Sequence, residues 1–329
     1  MASTGILAGL RLRPYAGEAD LAGMARVTNA EAEADDLPYR TTVGELRAHL
    51  AHASASFTPA RDITLAELDG RVVGISSREA VDTTDGLREF RLDGEVDPAY
   101  RRQGVGTALL QEGIRRHREL QAVEGGSRPP VFGSWSSERQ SGDEALLEAA
   151  GFERVRWFFE MVRPNLADVP DRALPEGLEL RPITSEALAR RVWHADVEAF
   201  ADHWGGFDGS EEHLQRWLSN PNTDLSLWVI AFDGDEVAGG ILNAIDADQN
   251  TALGIRRGWL SSVFTRRPWR RRGLAGALIA ESLRLLRDRG MTSAGLGVDA
   301  DNPSGAFGLY EGVGFEVDMR STAWRRDFA

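Results

Sequence analysis

Two short runs carry residue types and spacing suited to one chemistry, the capture of a phosphate or pyrophosphate. The first is Arg101-Arg102-Gln103-Gly104-Val105-Gly106, which follows Gly94-Glu95-Val96-Asp97-Pro98. The second is Arg270-Arg271-Arg272-Gly273-Leu274-Ala275-Gly276, which follows Leu260-Ser261-Ser262-Val263-Phe264-Thr265. Each lies between an apolar strand and a helix. Glycine and alanine leave the backbone bare, so its N–H groups can point at an anion, and the following helix adds the positive end of its dipole.

Around these runs other landmarks recur in the same order. Leu10-Arg11-Leu12-Arg13-Pro14 returns as Leu178-Glu179-Leu180-Arg181-Pro182, Asp69-Gly70 as Asp233-Gly234, Gly74 as Gly239, and Gly151-Phe152 as Gly314-Phe315. A nearly constant offset of about 165 residues marks two homologous halves of one ancestral domain. Within each half a short strand precedes a helical region. Two strands joined by the Asp-Gly turn follow, Ile63–Leu68 with Val72–Ser77 and Leu225–Phe232 with Val237–Ala244. Next come a third strand, the glycine turn and a long helix. In the second half that helix carries Leu274, Leu278 and Leu285 on one face, with Ile279 and Leu286 alongside, and ends near Gly290. A strand at Ala294–Val298, a short helix near Ser304–Gly312 and a strand at Phe315–Ala323 complete it. The segment from Arg163 to Gly177 holds Pro164, Pro170 and Pro175 and reads as a linker, which places the domains at 1–165 and 176–329. The expected class is α/β, a mixed sheet flanked by helices, in two tandem domains.

Composition narrows the functions. The chain has 329 residues, 42% of them hydrophobic and 27% charged, as expected of a folded globular protein. No apolar run approaches the ~20 residues of a membrane span, and the first residues lack the pattern of a signal peptide, so a cytoplasmic protein without a membrane partner is expected. There is no cysteine, which excludes disulfides and thiolate chemistry, and no metal site is expected. The net charge of −13 disfavours nucleic acid as a partner and favours cationic small molecules. All basic residues other than histidine are arginine.

Both halves, nearly the whole chain, resemble the GNAT superfamily of acetyl-CoA-dependent N-acetyltransferases. The resemblance is carried by Arg270-Arg271-Arg272-Gly273-Leu274-Ala275 and by the later run from Asn302 through Leu309-Tyr310 to Gly314-Phe315. It implies two tandem GNAT-like acyl-CoA N-acyltransferase domains, with acetyl-CoA as co-substrate. Its pyrophosphate would lie on the N–H groups of Arg271 to Gly276, with Arg270, Arg271 and Arg272 supplying charge and Asn302 in the later motif. The pantetheine arm would pair with the strand edge at Val263, Phe264 and Thr265, where two central strands of this family splay apart. A backbone N–H there would polarise the thioester carbonyl. In the first half the equivalent positions are Val96, Arg101, Arg102, Gln103, Gly104, Val105 and Gly106. The resemblance also implies that Tyr310 is the general acid for the departing thiolate; a phenol of pKa ~10 is protonated at neutral pH.

A general base is left open among Asp246, Asp299, Asp301, His194, His203 and the terminal carboxylate of Ala329, with a water-mediated relay as the alternative. An alkylammonium acceptor must lose a proton before it attacks. The first half departs from the pattern. Leu147 stands where Tyr310 does, nothing matches Asn302, and Glu89 is its candidate base. That half either binds acetyl-CoA without turnover or is a structural partner, as in mycothiol synthase-like tandem members. Trp193, Trp204, Phe207 and Trp217, with Glu198, Asp202, Asp208, Glu211 and Glu212, read either as an acceptor wall or as ordinary packing and solvated charge. The expected function is acetyl transfer to a primary amine of a small molecule or peptide by direct attack in a ternary complex. The alternative is a catalytically silent acyl-CoA-binding regulator. A monomer with pseudo-dimeric domains is expected.

Overall fold

The protein is described from a computed structural model that covers residues 7–51, 53, 56–201, 203, 204, 209–219, 223–301 and 305–328. Asn302, Asp202, Phe207, Asp208 and Ala329, named above, lie outside the described residues. Along the first half run β1 (Arg11–Pro14), α1 (Glu18–Ala34), α2 (Val43–Ala51), α3 (Pro59–Asp62), β2 (Ile63–Leu68), β3 (Arg71–Asp82), β4 (Arg88–Val96), α4 (Val105–Glu124), β5 (Pro130–Ser137), α5 (Ser141–Ala149) and β6 (Glu153–Arg163). The second half repeats the series with β7 (Glu179–Leu180), α6 (Glu186–Ala199), α7 (Glu211–Ser219), β8 (Val229–Asp233), β9 (Glu236–Ala244), α8 (Ala247–Leu253), β10 (Arg257–Thr265), α9 (Leu274–Asp288), β11 (Ser293–Asp299), α10 (Ala306–Glu311) and β12 (Glu316–Asp327).

The compact units do not follow one cut of the chain. One comprises Met1–Arg156 with Ser321–Ala329, the other Trp157–Arg320. In the first unit the strands run β1-β2-β3-β4-β5-β12, and in the second β7-β8-β9-β10-β11-β6. The last strand of each sheet is therefore encoded in the other half of the sequence. Residues 158–163 of β6 pair antiparallel with β11, and Ser321–Asp327 of β12 pair antiparallel with β5. The sequence boundary at 165/176 misses this because strand pairing is non-local and the two strands follow equivalent elements.

The hairpins form where the Asp-Gly turns place them, with Asp69 and Gly70 both at positive φ. The expected strand at Leu225 begins later. Leu225–Leu227 is a 3-10 turn, fixed because the Asp224 carboxylate accepts a hydrogen bond from Ser226 N at 2.9 Å, and β8 starts at Val229. Strands β4 and β5 pair in parallel, as do β10 and β11. Each sheet is covered on both faces. On one face of the second unit α6 packs Ala189, Val192 and Ala195 against Ile230, Phe232 and Phe264. On the other, α9 packs Leu274, Leu278, Ile279, Leu283 and Leu286 against Leu260, Leu296 and Val298. Leu285, expected on that buried face, is only half-buried, and Leu283 takes its place. The helix ends at Asp288, with Gly290 at φ 84° just beyond.

Trp324 of β12 is 1% exposed, belongs to the cluster of Phe90, Phe132 and Ile114, and donates from Nε1 to Ser136 Oγ at 2.8 Å. Trp324→Ala should destabilise the first unit by about 3–5 kcal/mol. Amide exchange should rise first in the Val131–Ser137 strand that β12 pairs with, rather than in β11. A loss of protection confined to β11 would contradict this strand assignment.

Candidate active site

In the second unit β10 pairs in parallel with β11 only at Arg257, Gly258 and Trp259. Beyond Trp259 the two strands part, while β11 continues beside β6 to Asp299 and β10 beside β9 to Thr265. On its other edge the β9/β10 register slips, leaving Ser261 as an extra residue, a bulge that bends β10 at the point of separation. The result is a fork with one backbone edge of residues 260–265 open. Among the described residues no side chain bonds the backbone of residues 260–264, so the fork can accept an extended, amide-bearing ligand.

At the end of β10 the chain makes the glycine turn. Arg271 is at φ 62° and Gly273 at φ 85°, and the first unit reproduces both values at Arg102 and Gly104. Non-glycine residues rarely adopt positive φ. Such alternation turns successive N–H groups to one side and forms an anion-binding concavity. Neither α9 nor α4 has a side-chain N-cap, whereas Ser185 caps α6. The first-turn N–H groups of α9 therefore remain available to an anion. Of the cofactor residues expected there, Gly273 caps α9, Leu274 is buried, Ala275 is half-buried and Gly276 is buried.

The arginines divide their work. Arg270 donates from Nε to Thr265 O at 3.0 Å and from Nη2 to Ala199 O at 3.3 Å, so it ties the end of β10 to the end of α6 rather than facing the turn. Arg272 reaches Glu176 O at 3.5 Å, and Arg271 has no partner among the described residues. A further arginine, Arg172, lies beside the turn. Its Cδ is 3.2 Å from where a Cβ on Gly276 would stand, and its Nη2 donates to Gly312 O at 3.4 Å. Its place in the linker gave it no sequence signal. Arg266 is committed to Glu198 and Glu236. Of the strand residues, Val263 packs toward α9, Phe264 is buried toward α6, and the Thr265 hydroxyl is buried without a partner.

Titratable groups stand on both faces of the fork. Tyr310 of α10 is 6% exposed, shares the apolar cluster of Leu260, Val263, Leu296 and Val298, and meets Phe315 edge-on at 6.1 Å. Burial pushes its phenol up to about 12, so it is protonated at neutral pH. On the opposite face Asp196 of α6 is 1% exposed and accepts a hydrogen bond from Ser262 Oγ of β10 at 2.7 Å. Burial pushes its carboxyl up to about 7, against the opposing effect of the Ser262 hydrogen bond. The sequence reading missed Asp196. Its signal was a carboxylate continuing the apolar stripe Ala189, Val192, Trp193 at helical spacing.

The bases considered from sequence are placed elsewhere. Asp246 caps α8 through Gln249 N, Asp299 accepts from Asp301 N in a turn, His194 and Asp301 are exposed, and the His203 ring lies tilted at 49° against Phe200. Trp193 and Trp217 pack together beside Trp228 as a core contact of α6 and α7, which leaves them no free wall.

The first unit keeps the fork but occupies it differently. Strands β4 and β5 pair only from Arg88 to Arg91 on β4, without a bulge toward β3. The Val96 N–H at the open edge donates to Glu31 Oε2 at 2.7 Å. Arg101 makes a bidentate pair with Asp35 at 2.7 and 2.6 Å, and Gln103 Nε2 donates to Ala99 O. Val105 is buried, and Leu146 lies 3.3 Å from where a Cβ on Gly106 would stand. Leu147, 4% exposed, holds the place of Tyr310. Glu89 is tied to Arg91 and Arg325.

Fold and site together define a tandem acyltransferase, and comparison with known proteins agrees. The acetyltransferase (GNAT) family model matches residues 24–125 and 190–315. The chain belongs to the GNAT acetyltransferase family and is an acyltransferase with two such units. It is 29% identical over 323 residues to a mycothiol acetyltransferase of Salinispora arenicola, covering 90% of this chain and 89% of the relative. To the mycothiol acetyltransferase of Geodermatophilus obscurus it is 29% identical over 315 residues, covering 93% and 95%. Among solved structures, a GCN5-related N-acetyltransferase from Sphaerobacter thermophilus has a TM-score of 0.75 at 24% identity, covering 98% and 97%. A tandem GNAT protein from the clavulanic acid biosynthesis pathway has a TM-score of 0.75 at 18% identity, covering 97% and 99%. Enzymes of this family use acetyl-CoA.

The turn itself is testable. Gly273→Val forces a β-branched residue to φ 85°, a strain of roughly 1–2 kcal/mol, and crowds the cradle. The thermal stabilisation that saturating acetyl-CoA gives the full chain should be lost in this variant and kept in Gly104→Val. Equal loss in both would contradict a donor site in the second unit alone.

Proposed function

We propose that the second unit transfers the acetyl group of acetyl-CoA to a primary amine of a small molecule or peptide, by direct attack within a ternary complex. The observation that carries this reading is the open edge of β10 between a protonated phenol on one face and a buried carboxylate of raised pKa on the other. The residues present fit the donor. The uncapped turn Arg271–Gly276 suits a pyrophosphate, with Arg271 and Arg172 as unspent cations, and the edge at Val263 and Phe264 suits pantetheine amides.

Chemistry then follows from the chain's own groups. Asp196, ionised above about pH 7, takes a proton from the bound ammonium through the Ser262 hydroxyl. The freed nitrogen lone pair forms the C–N bond at the thioester carbonyl, whose oxygen is stabilised by an N–H of the open edge. Tyr310 gives its proton to the sulfur as the C–S bond breaks, and its phenolate takes up the second proton that the new amide nitrogen sheds. The first unit lacks the phenol and has filled its donor edge with Glu31, which supports a catalytically degenerate role for it. The relatives' name, mycothiol acetyltransferase, puts mycothiol-related amines first in an acceptor panel.

Two results are expected with an accepted amine. Tyr310→Phe should lower kcat by about 10²–10⁴ with acetyl-CoA affinity retained; full turnover would remove Tyr310 from the chemistry. For Asp196 the sign is fixed by its role as base. The rate should fall as pH drops through about 7, because protonation removes the acceptor of the proton. Asp196→Asn should lower kcat/KM and abolish that acidic limb, whereas an unchanged limb would exclude Asp196.

A further inference from the structure

Tyr310 rides on a helix too short to place itself. α10 has six residues, and its first turn has no side-chain cap. So short a helix is held by its anchors rather than by its own hydrogen bonds. We propose that Arg163, the last residue of β6, is the positioning residue for Tyr310 and acts by capping the carbonyl that closes the turn after α10, a role that rests on the catalytic reading of Tyr310.

Three observations carry this role. First, the chain leaves α10 through a glycine turn. Gly314, at φ 85°, donates its N–H to Glu311 O at 2.9 Å, and Phe315 donates to Tyr310 O at 3.1 Å. That pattern satisfies the carbonyls of Tyr310 and Glu311 and leaves the Val313 carbonyl without a main-chain partner among the described residues. Arg163 Nη1 donates to Val313 O, Nη2 donates to Asp168 O, and the guanidinium fills the space a Cβ on Gly314 would need. One side chain thus fastens the end of α10 to β6 and to the linker. β6 supports the same helix along its length. Phe159 meets Phe307 at 5.3 Å between ring centres, and Met161 shares the apolar cluster of Tyr310. Second, Arg163 is a buried cation without an anion. It is 8% exposed, no carboxylate pairs with it among the described residues, and its Nε is buried without a partner. For stability alone an apolar residue would serve such a place as well. What the guanidinium adds is a rigid fork spanning two carbonyls.

Third, the arginine accompanies the phenol. The first unit makes the same turn after α5. Gly151, at φ 81°, donates to Glu148 O at 3.0 Å, and Phe152 donates to Leu147 O at 3.0 Å. There Leu147 stands in place of the phenol, and the strand position that corresponds to Arg163 holds Asp327. Arg163 pairs with Ala294, the second residue of β11, and Asp327 pairs with Val131, the second residue of β5. An ionised carboxylate has no donor, and among the described residues no side chain bonds the Ala150 carbonyl, the equivalent of Val313 O. The turn therefore forms without an arginine, and the second unit adds one beside its phenol.

The test joins ring NMR to a kinetic double-mutant cycle, both on the full chain. The chain has four tyrosines, so with labelled tyrosine rings the Tyr310 signal is assigned by its loss in Tyr310→Phe. In Arg163→Met that signal should shift or broaden, while those of Tyr15, Tyr39 and Tyr100, all in the first unit, hold their places. With acetyl-CoA and the fastest acceptor of a primary-amine panel headed by mycothiol-related amines, Arg163→Met should lower kcat by about tenfold to a hundredfold and leave the KM for acetyl-CoA unchanged. In a Tyr310→Phe background it should cost no more than about twofold, the ordinary error of additivity, because the group it positions is gone. A merely structural arginine would cost the same in both backgrounds. Should Arg163→Met unfold the chain, Arg163→Lys, which keeps the charge without the fork, takes its place in both measurements with the same pattern and a smaller loss. A Tyr310 signal that stays still, or equal losses in the two backgrounds while Tyr310→Phe is itself impaired, would overturn this proposal alone. Full turnover by Tyr310→Phe would overturn it together with the catalytic reading.

Discussion

When two parallel strands part, the backbone groups on the inner edge of the opening lose their partners. Each buried, unmet group costs roughly 1–3 kcal/mol, so such a fork must be filled by a ligand, by water or by the protein's own side chains. In the second unit β10 leaves β11 after Trp259, and among the described residues its inner edge receives no side-chain bond over residues 260–264. In the first, β4 leaves β5 after Arg91, and the carboxylate of Glu31 closes on Val96. The catalytic proposal for one unit and the altered pocket of the other both grow from this single geometric demand.

The duplicated turns show how little backbone change this divergence needed. Arg102 and Arg271 share φ 62°, Gly104 and Gly273 share φ 85°, and the leading arginine of each donates through Nε to the last carbonyl of its strand. What differs is side-chain chemistry around the same frame. Tyr310 gives way to Leu147, and where Asp196 and Ser262 join α6 to β10, Thr28 and Glu95 join α1 to β4 at a different strand position. A cradle built from main chain tolerates such changes, because its N–H groups are set by φ and ψ rather than by side chains.

Local features of the fold were legible in the sequence. Asp-Gly marked the hairpins, Gly290 marked the end of α9, and the glycine runs marked the left-handed turns before α4 and α9, since each depends on the conformational limits of a few adjacent residues. Non-local features were not. The strand exchange of β6 and β12 depends on which sheet edge a strand meets, which no short-range pattern encodes. Asp196 was hidden by its own helix, where a carboxylate on an apolar stripe reads as a flaw in periodicity until Ser262 is placed beside it. Arg172 sits in a proline-rich linker and gains meaning only from its approach to Gly276. Arg270, expected to meet a phosphate from its place in the motif, is used instead to join β10 to α6.

The most direct measurement is amide hydrogen exchange of the full chain with and without saturating acetyl-CoA. The account predicts slowed exchange over residues 260–276, where the open strand edge runs into the bare turn, and unchanged exchange over residues 92–106. Protection of 92–106 with 260–276 unaffected would contradict it, and would move the donor site to the other unit.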